Sequence, residues 1–244
     1  MQLSRMTTGA VSGYLAGRSL VLIPAGSTEQ HGALAPMGCD AAVASAICEA
    51  AAERVGVICA PCMTFGMSEN HLAFAGSISL KPATLSSVIS DVISSLAGQG
   101  FRSFLFVSGH GGNRGPAVAG MAASALLNPG CRMRYKGYWE LPGAEETQRM
   151  LFGPDNGLHA TAAEVSMYMH LFPPFSPDPE ALRRYPPSPA PGTVLSPAEW
   201  KERFPDGPAG VDARQVSAEK GKAFFEFLVD SLSAEIESWE GGDS

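Results

Sequence analysis

Apolar positions along this chain follow two rhythms. Four short runs are almost unbroken: residues 19–24 (Ser-Leu-Val-Leu-Ile-Pro), 57–60, 104–107 (Phe-Leu-Phe-Val) and the more aromatic 133–139. Runs of this length that do not alternate with polar residues fit strands buried on both faces, as in a parallel sheet. Longer stretches of helical composition lie between them. Residues 41–54 are rich in alanine and stop at Gly56. Pro82 opens a helix to Ala97, with Gly98 and Gly100 as its stop. Residues 116–127 predict another, with Asn113 placed to cap it. A further helix opens around His159 and ends near Leu171. Residues 217–239 predict a long C-terminal helix carrying Phe224, Leu228, Leu232 and Ile236, and residues 8–15 a short leading one.

The intervals are punctuated. Residues 77–80 alternate and predict a short edge strand. Residues 141–158 have loop character, with Pro142, Gly143, Gly153 and Pro154, and residues 207–210 form a turn. Residues 173–197 are rich in proline and read as a long connection. No repeat or change of composition divides the chain, so residues 1–244 are read as one domain. Strands alternating with helices predict an α/β fold, a mostly parallel central sheet with helices on both faces.

Composition narrows the function. The formal net charge is −7 with only 17 Lys plus Arg and no basic run, which argues against a nucleic-acid partner. Arg18 and Pro24 interrupt the apolar N-terminal stretch, so neither a signal peptide nor a membrane span is expected there. Five cysteines, an odd number in a chain of ordinary size, suit reduced thiols and a cytoplasmic setting. Cys59-Ala60-Pro61-Cys62 has redox-motif spacing, but as small apolar residues at a strand end the pair reads as core.

The chemistry gathers where strands end. Gly26-Ser27-Thr28-Glu29-Gln30-His31-Gly32 follows the first strand directly. Ligands of open α/β sheets bind at that edge. Glu29 and His31 are two apart and leave one face of an extended segment, and Asp40 can fold back to them from a glycine-punctuated loop. His110 follows the third strand within Ser108-Gly109-His110-Gly111-Gly112-Asn113. Later come His159 and Glu164, although Thr161-x-x-Glu164 is also a capping-box pattern that accounts for Glu164 without a ligand role. Together Glu29, His31, Asp40, His110 and Glu164 offer a mixed nitrogen and oxygen set sufficient for two divalent metals bridged by one carboxylate. His159 remains as a general acid or base. Glu69 and His71 read first as solvated loop residues. No nucleophile elbow, P-loop or dinucleotide fingerprint is present.

These motifs resemble the creatininase (creatinine amidohydrolase) family. The carriers are the 26–32 segment with Gly38-Cys39-Asp40, the 108–113 segment, and His159-Ala160-x-x-x-Glu164-x-Ser166. Weaker matches are Gly66-x-Ser68-x-x-His71 with residues 76–80, and Gly207-x-x-Gly210 with residues 217–221. The resemblance implies a three-layer α/β/α sandwich, a dinuclear metal centre and hydrolysis of a non-peptide or cyclic amide C–N bond. It places Glu29, His31, Asp40, His110 and Glu164 as metal ligands with Asp40 as the bridge, and His159 as the catalytic histidine. The family includes creatininase, formamide hydrolases acting on formylaminopyrimidines, and a peptidase-like maturase of the mycofactocin pathway.

Two departures matter. The family's usual His-Gly-Pro-His-Leu-Pro becomes His31-Gly32-Ala33-Leu34-Ala35-Pro36, a change that bears on substrate contacts and not on the metals. Creatininase proper carries Tyr-Glu where this chain has Gly111-Gly112, which argues against creatinine as substrate. Gly111, Gly112, Asn113 and His71 are expected to border the substrate. The expectation is thus a cytoplasmic, homohexameric amidohydrolase carrying two zinc, manganese or iron ions. Its metal-bound hydroxide attacks a small-molecule cyclic amide or formamide, with no nucleic acid or membrane as partner. The alternatives are a peptide maturase using the same site, with the 173–197 segment shaping a cleft, and a metal-binding protein without turnover. His159 argues against the latter.

Overall fold

The computed structural model describes residues 1–241. Four parallel strands, β1 (Leu20–Ala25), β2 (Ile58–Cys59), β3 (Ser103–Ser108) and β4 (Arg132–Gly137), lie in the order β2-β1-β3-β4. The predicted mostly parallel sheet is present. β1 and β3 occupy its centre and are buried throughout, as their unbroken apolar sequences require.

Their alternate side chains serve two cores. Leu20, Leu22, Leu105 and Val107 join α2 (Cys39–Val55), α6 (Ala162–Leu171) and α8 (Ala218–Glu240) on one face. Val21, Ile23, Phe104 and Phe106 join α3 (Pro82–Ala97) and α4 (Arg114–Leu127) on the other, with α1 (Thr8–Leu15) at the margin. The helices present matching stripes. Leu85, Ile89, Ile93 and Ala97 recur every fourth residue on α3, as do Phe224, Leu228, Leu232 and Ile236 on α8. Among the described residues no helix is long and apolar enough to cross a membrane.

Several local expectations change. Residues 77–80 form no strand and contribute only a bridge between Ile78 and Thr28. β4 stops at Gly137 and passes into a 3-10 turn over Tyr138–Glu140. The segment expected to be loop contains α5 (Ala144–Phe152), entered through Gly143 at φ 77° and anchored by buried Phe152. Another helix, α7 (Pro197–Arg203), follows the proline-rich segment; Ser196 and Glu199 form its capping box and Pro197 its first turn. Asn113 caps nothing: its amide nitrogen donates to Gly26 O and its oxygen accepts from Met67 N.

Two glycines fix how the sheet meets α2. β1 and β3 end in register at Ala25 and Ser108, followed by Gly26 and Gly109. A Cβ on Gly26 would lie 2.3 Å from Ala41 Cα, and one on Gly109 2.4 Å from Asp40 O. The first turn of α2 therefore sits directly on both strand ends, with Asp40 in it.

Gly26→Ala should push that turn away and destabilise the fold by roughly 2–4 kcal/mol. Gly13→Ala, at a position of α1 with nothing near the missing Cβ, should stabilise it by about 0.5–1 kcal/mol. Urea unfolding of both variants checks the pair. Equal effects would show that the contact with α2 is not tight.

Candidate metal centre

Glu29, His31, Asp40, His110, His159 and Glu164 all converge at the C-terminal edge of the sheet. Glu29 and His31 come from the extended segment after β1, and His110 from the turn after β3. Asp40 stands on the first turn of α2 rather than on the expected loop, and Glu164 on the first turn of α6. Glu29 and His31 are each 1% exposed and Asp40 3%, so the cluster is largely withdrawn from solvent.

Asp40 is the centre of the arrangement. Its Oδ1 lies 3.0 Å from His31 Nε2, and its Oδ2 3.2 Å from His110 Nδ1. Glu164 Oε1 approaches the same His31 nitrogen at 3.7 Å, and Glu29 Oε2 the same His110 nitrogen at 3.2 Å. Three donor sets result: Glu29–Asp40–His110 and His31–Asp40–Glu164, which share Asp40, and Glu29–His31–His159. Within each, one atom from every member lies within 4.8 Å of the others.

The far side of each ring fixes its tautomer. His31 Nδ1 donates to Glu29 O at 3.2 Å, and His110 Nε2 to Met67 O at 2.8 Å. When neutral, each imidazole thus turns a lone pair toward Asp40, the arrangement second-shell carbonyls impose on metal-binding histidines.

Charge supports the same reading. Burial opposes ionisation of Glu29, but His110 beside it, with His71 and His159, holds the carboxyl well below its usual range. Burial likewise opposes protonation of His31 and His110; the facing carboxylates win, pushing His31 up to about 10 and His110 well above its usual range. Glu164 is pushed up to about 8, by burial and by Asp40, against the pull of His31. Asp40 Oδ2 is buried without a hydrogen-bond partner. Three carboxyls in a dry site with an orphaned acceptor at their centre need a cation, and divalent metals fit this donor set.

His159 sits beside this cluster. Its Nε2 donates to Gln30 O at 2.7 Å, and its Nδ1 faces Glu29 Oε1 at 3.3 Å. Burial and neighbouring His71 keep it well below the usual imidazole range, despite Glu29. His71, expected to be solvated, is buried and stacks on His159 with ring centroids 4.1 Å apart; Glu69 is the exposed member of that loop. Trp200 from α7 closes edge-on at 4.9 Å from the His71 ring. Sequence reasoning missed Gln30 and Trp200; Gln30 lies within the motif, but Trp200 carries no local signal. The segment after residue 207, read as a turn, pairs with His159 through Ala209. The next residue, Ala160, is held at φ 52°.

A cavity of about 740 Å³ opens onto the cluster. Glu29, Asp40, His110, His159 and Glu164 line it, with Gly111, Tyr138, Trp139 and Asn156. Of the residues expected to border a substrate, only Gly111 does. A Cβ on Gly112 would strike Met67 O, Asn113 is committed to the backbone, and His71 stands behind His159. The 173–197 segment lines none of it. It packs instead against the Gly210–Asp212 stretch through Tyr185 and Pro186.

Glu164 carries both readings drawn from its sequence. Its Oε1 accepts from Thr161 N at 2.5 Å, completing the capping box, while it also faces His31. Glu164→Gln can keep the cap but not the charge. It should lose one of two bound metals by elemental analysis with little change in melting temperature. Thr161→Ala should keep both metals and cost about 0.5–2 kcal/mol. If Glu164→Gln retains full metal content, the residue is only a cap.

Comparisons with known proteins identify the family. The family model for creatinine amidohydrolase matches residues 4–236. The chain is 27% identical to a creatinine amidohydrolase of Pseudomonas putida, covering 91% of this chain and 90% of that one. It is 31% identical over 160 residues to a mycofactocin precursor peptide peptidase of Mycolicibacterium smegmatis, 63% of this chain and 58% of that one. The solved structure of a Zn-Zn creatininase mutant superposes with a TM-score of 0.85 at 25% identity, covering 97% of both chains. With its parallel sheet, its histidine and carboxylate cluster and a match over nearly its whole length, this chain belongs to the creatininase family.

Proposed function

We propose that this protein hydrolyses a C–N amide bond of a small cyclic amide or formamide-type substrate at a dinuclear divalent metal centre. The observation that carries the reading is the pair of donor sets meeting at Asp40. Glu29, Asp40 and His110 would hold one ion, and His31, Asp40 and Glu164 the other. Zinc, manganese and iron suit these donors. Ions so held supply Lewis acidity toward a carbonyl and lower the pKa of water.

The chain's own contribution centres on His159. Burial keeps the ring neutral, and Gln30 O occupies its Nε2 proton. Nδ1 is therefore free to take a proton from the attacking water and return it to the departing nitrogen. The stacked His71 and the edge-on Trp200 flank the ring. Gly111 leaves the adjacent wall without a side chain.

The cavity volume lies in the small-molecule range. An adjoining hollow of about 620 Å³ shares Trp139, Glu140 and Glu145 with it. That continuity favours, as a second reading, the cleavage of a modified peptide. A hydrolysis screen of metal-loaded protein over lactams, formamides, creatinine and peptides separates the two. Turnover of a small amide, with negligible creatinine hydrolysis, is expected. His159→Gln should lower kcat by roughly 10²–10⁴ with metal content unchanged. Cleavage of peptides alone would favour the second reading, and no hydrolysis at all would sink both.

The assembly is read as a cytoplasmic homohexamer, on the family resemblance. Five free cysteines and the outward-facing Leu126 and Leu127 at the end of α4 are compatible with it. Sedimentation of metal-loaded protein should show a species of six chains; a stable monomer at micromolar concentration would rule this out.

A further inference from the structure

Neither the metal cradle nor the proton-handling histidine uses Asn156. It lines the cavity together with His159 and Glu164, and it is only 6% exposed. Both of its acceptors are committed to the start of α6. Its main-chain oxygen accepts from Ala162 N at 2.9 Å, and its Oδ1 from Ala163 N at 2.9 Å. The second bond fixes which way the amide lies, because a backbone N–H requires its oxygen end. The NH2 end is what remains unbonded.

That end has no partner. Among the described residues, Asn156 Nδ2 and Asp40 Oδ2 are the two buried side-chain polar atoms left without a hydrogen bond. The orphan on Asp40 is explained by a cation. The orphan on Asn156 is a donor, so it calls for an acceptor oxygen. Elsewhere on the cavity wall Arg114 pairs with Glu140, and Thr161 Oγ1 accepts from Glu164 N. Asn156 is thus a buried neutral donor left unbonded beside His159 and Glu164.

We infer that Asn156 Nδ2 donates to a second acceptor oxygen of the substrate, distinct from the oxygen of the amide that is cut. The enzyme then selects amides carrying an additional carbonyl or carboxylate close to the scissile bond. This deepens the amidohydrolase reading above and rests on it. Asn156 acts as a specificity-determining residue, and the α6 amides it caps keep its donor aligned with His159 and Glu164.

Calorimetric titration of metal-loaded protein with two matched pairs of probes tests it. Hydantoin and 2-imidazolidinone differ by one ring carbonyl; N-formylglycine and N-methylformamide differ by a carboxylate. Wild-type protein should bind the acceptor-bearing member of one pair about tenfold more tightly, the gain of one desolvated hydrogen bond. Which pair responds identifies the acceptor as carbonyl or carboxylate. Asn156→Ser keeps an oxygen able to cap α6 and removes the NH2, and Asn156→Asp replaces the donor with an acceptor. In both, the preference should fall to within about twofold, with metal content and melting temperature unchanged. The inference is overturned if the preference survives in both variants, or if wild-type protein prefers neither acceptor-bearing probe. A preference that depends on Asn156 in a protein that cuts no amide would leave this inference standing and defeat the amidohydrolase reading instead.

Discussion

The arrangement depends on one buried carboxylate. Asp40 is wedged between two imidazoles, with Glu29 and Glu164 on its flanks, almost wholly buried. It is there because α2 begins directly on the ends of the two central strands, a contact that only Gly26 and Gly109 permit. Close backbone packing, usually a matter of stability, here sets the position of the group that two of the donor sets share.

Burial makes that geometry expensive without a counter-charge. The histidines retain protons and Glu164 resists losing its own, because three carboxyls in a low-dielectric site cannot all ionise unaided. The same stress suits a site meant for cations. The tautomers are set by carbonyl oxygens of Glu29 and Met67, so each ring offers its nitrogen without rearranging. His159 lies outside this protonated group. Desolvation and the neighbouring His71 ring hold it well below the usual imidazole range, in contrast to His31 and His110 in the same pocket.

A second layer supports the first. The strand ends supply Glu29, His31 and His110, but the pieces that hold His159 come from elsewhere in the chain. Ala209 pairs with it, Gln30 bonds it, His71 stacks on it, and Trp200 reaches in from α7. The proline-rich segment belongs to this layer. It braces the 210–212 stretch from behind and does not shape the cavity.

The sequence by itself determined the sheet and most of its helices, because buried parallel strands and amphipathic helices write their periods directly into apolar positions. It also pointed to the clustered histidines and acids, since strand ends and helix starts are local features that carry them. What it could not decide depended on contacts between distant segments. Glu164 looked like a cap or a ligand, and only the approach of α6 to His31 shows that one carboxylate can face both. His71 looked solvated until the fold laid it on His159. Asn113 looked like a cap until Gly26 and Met67 took its amide, and α5 looked like loop until Phe152 found the core. Local patterns reveal which residues are able to perform a role. Which partner claims them is settled by tertiary packing, because hydrogen bonds and burial are assigned across the whole chain at once.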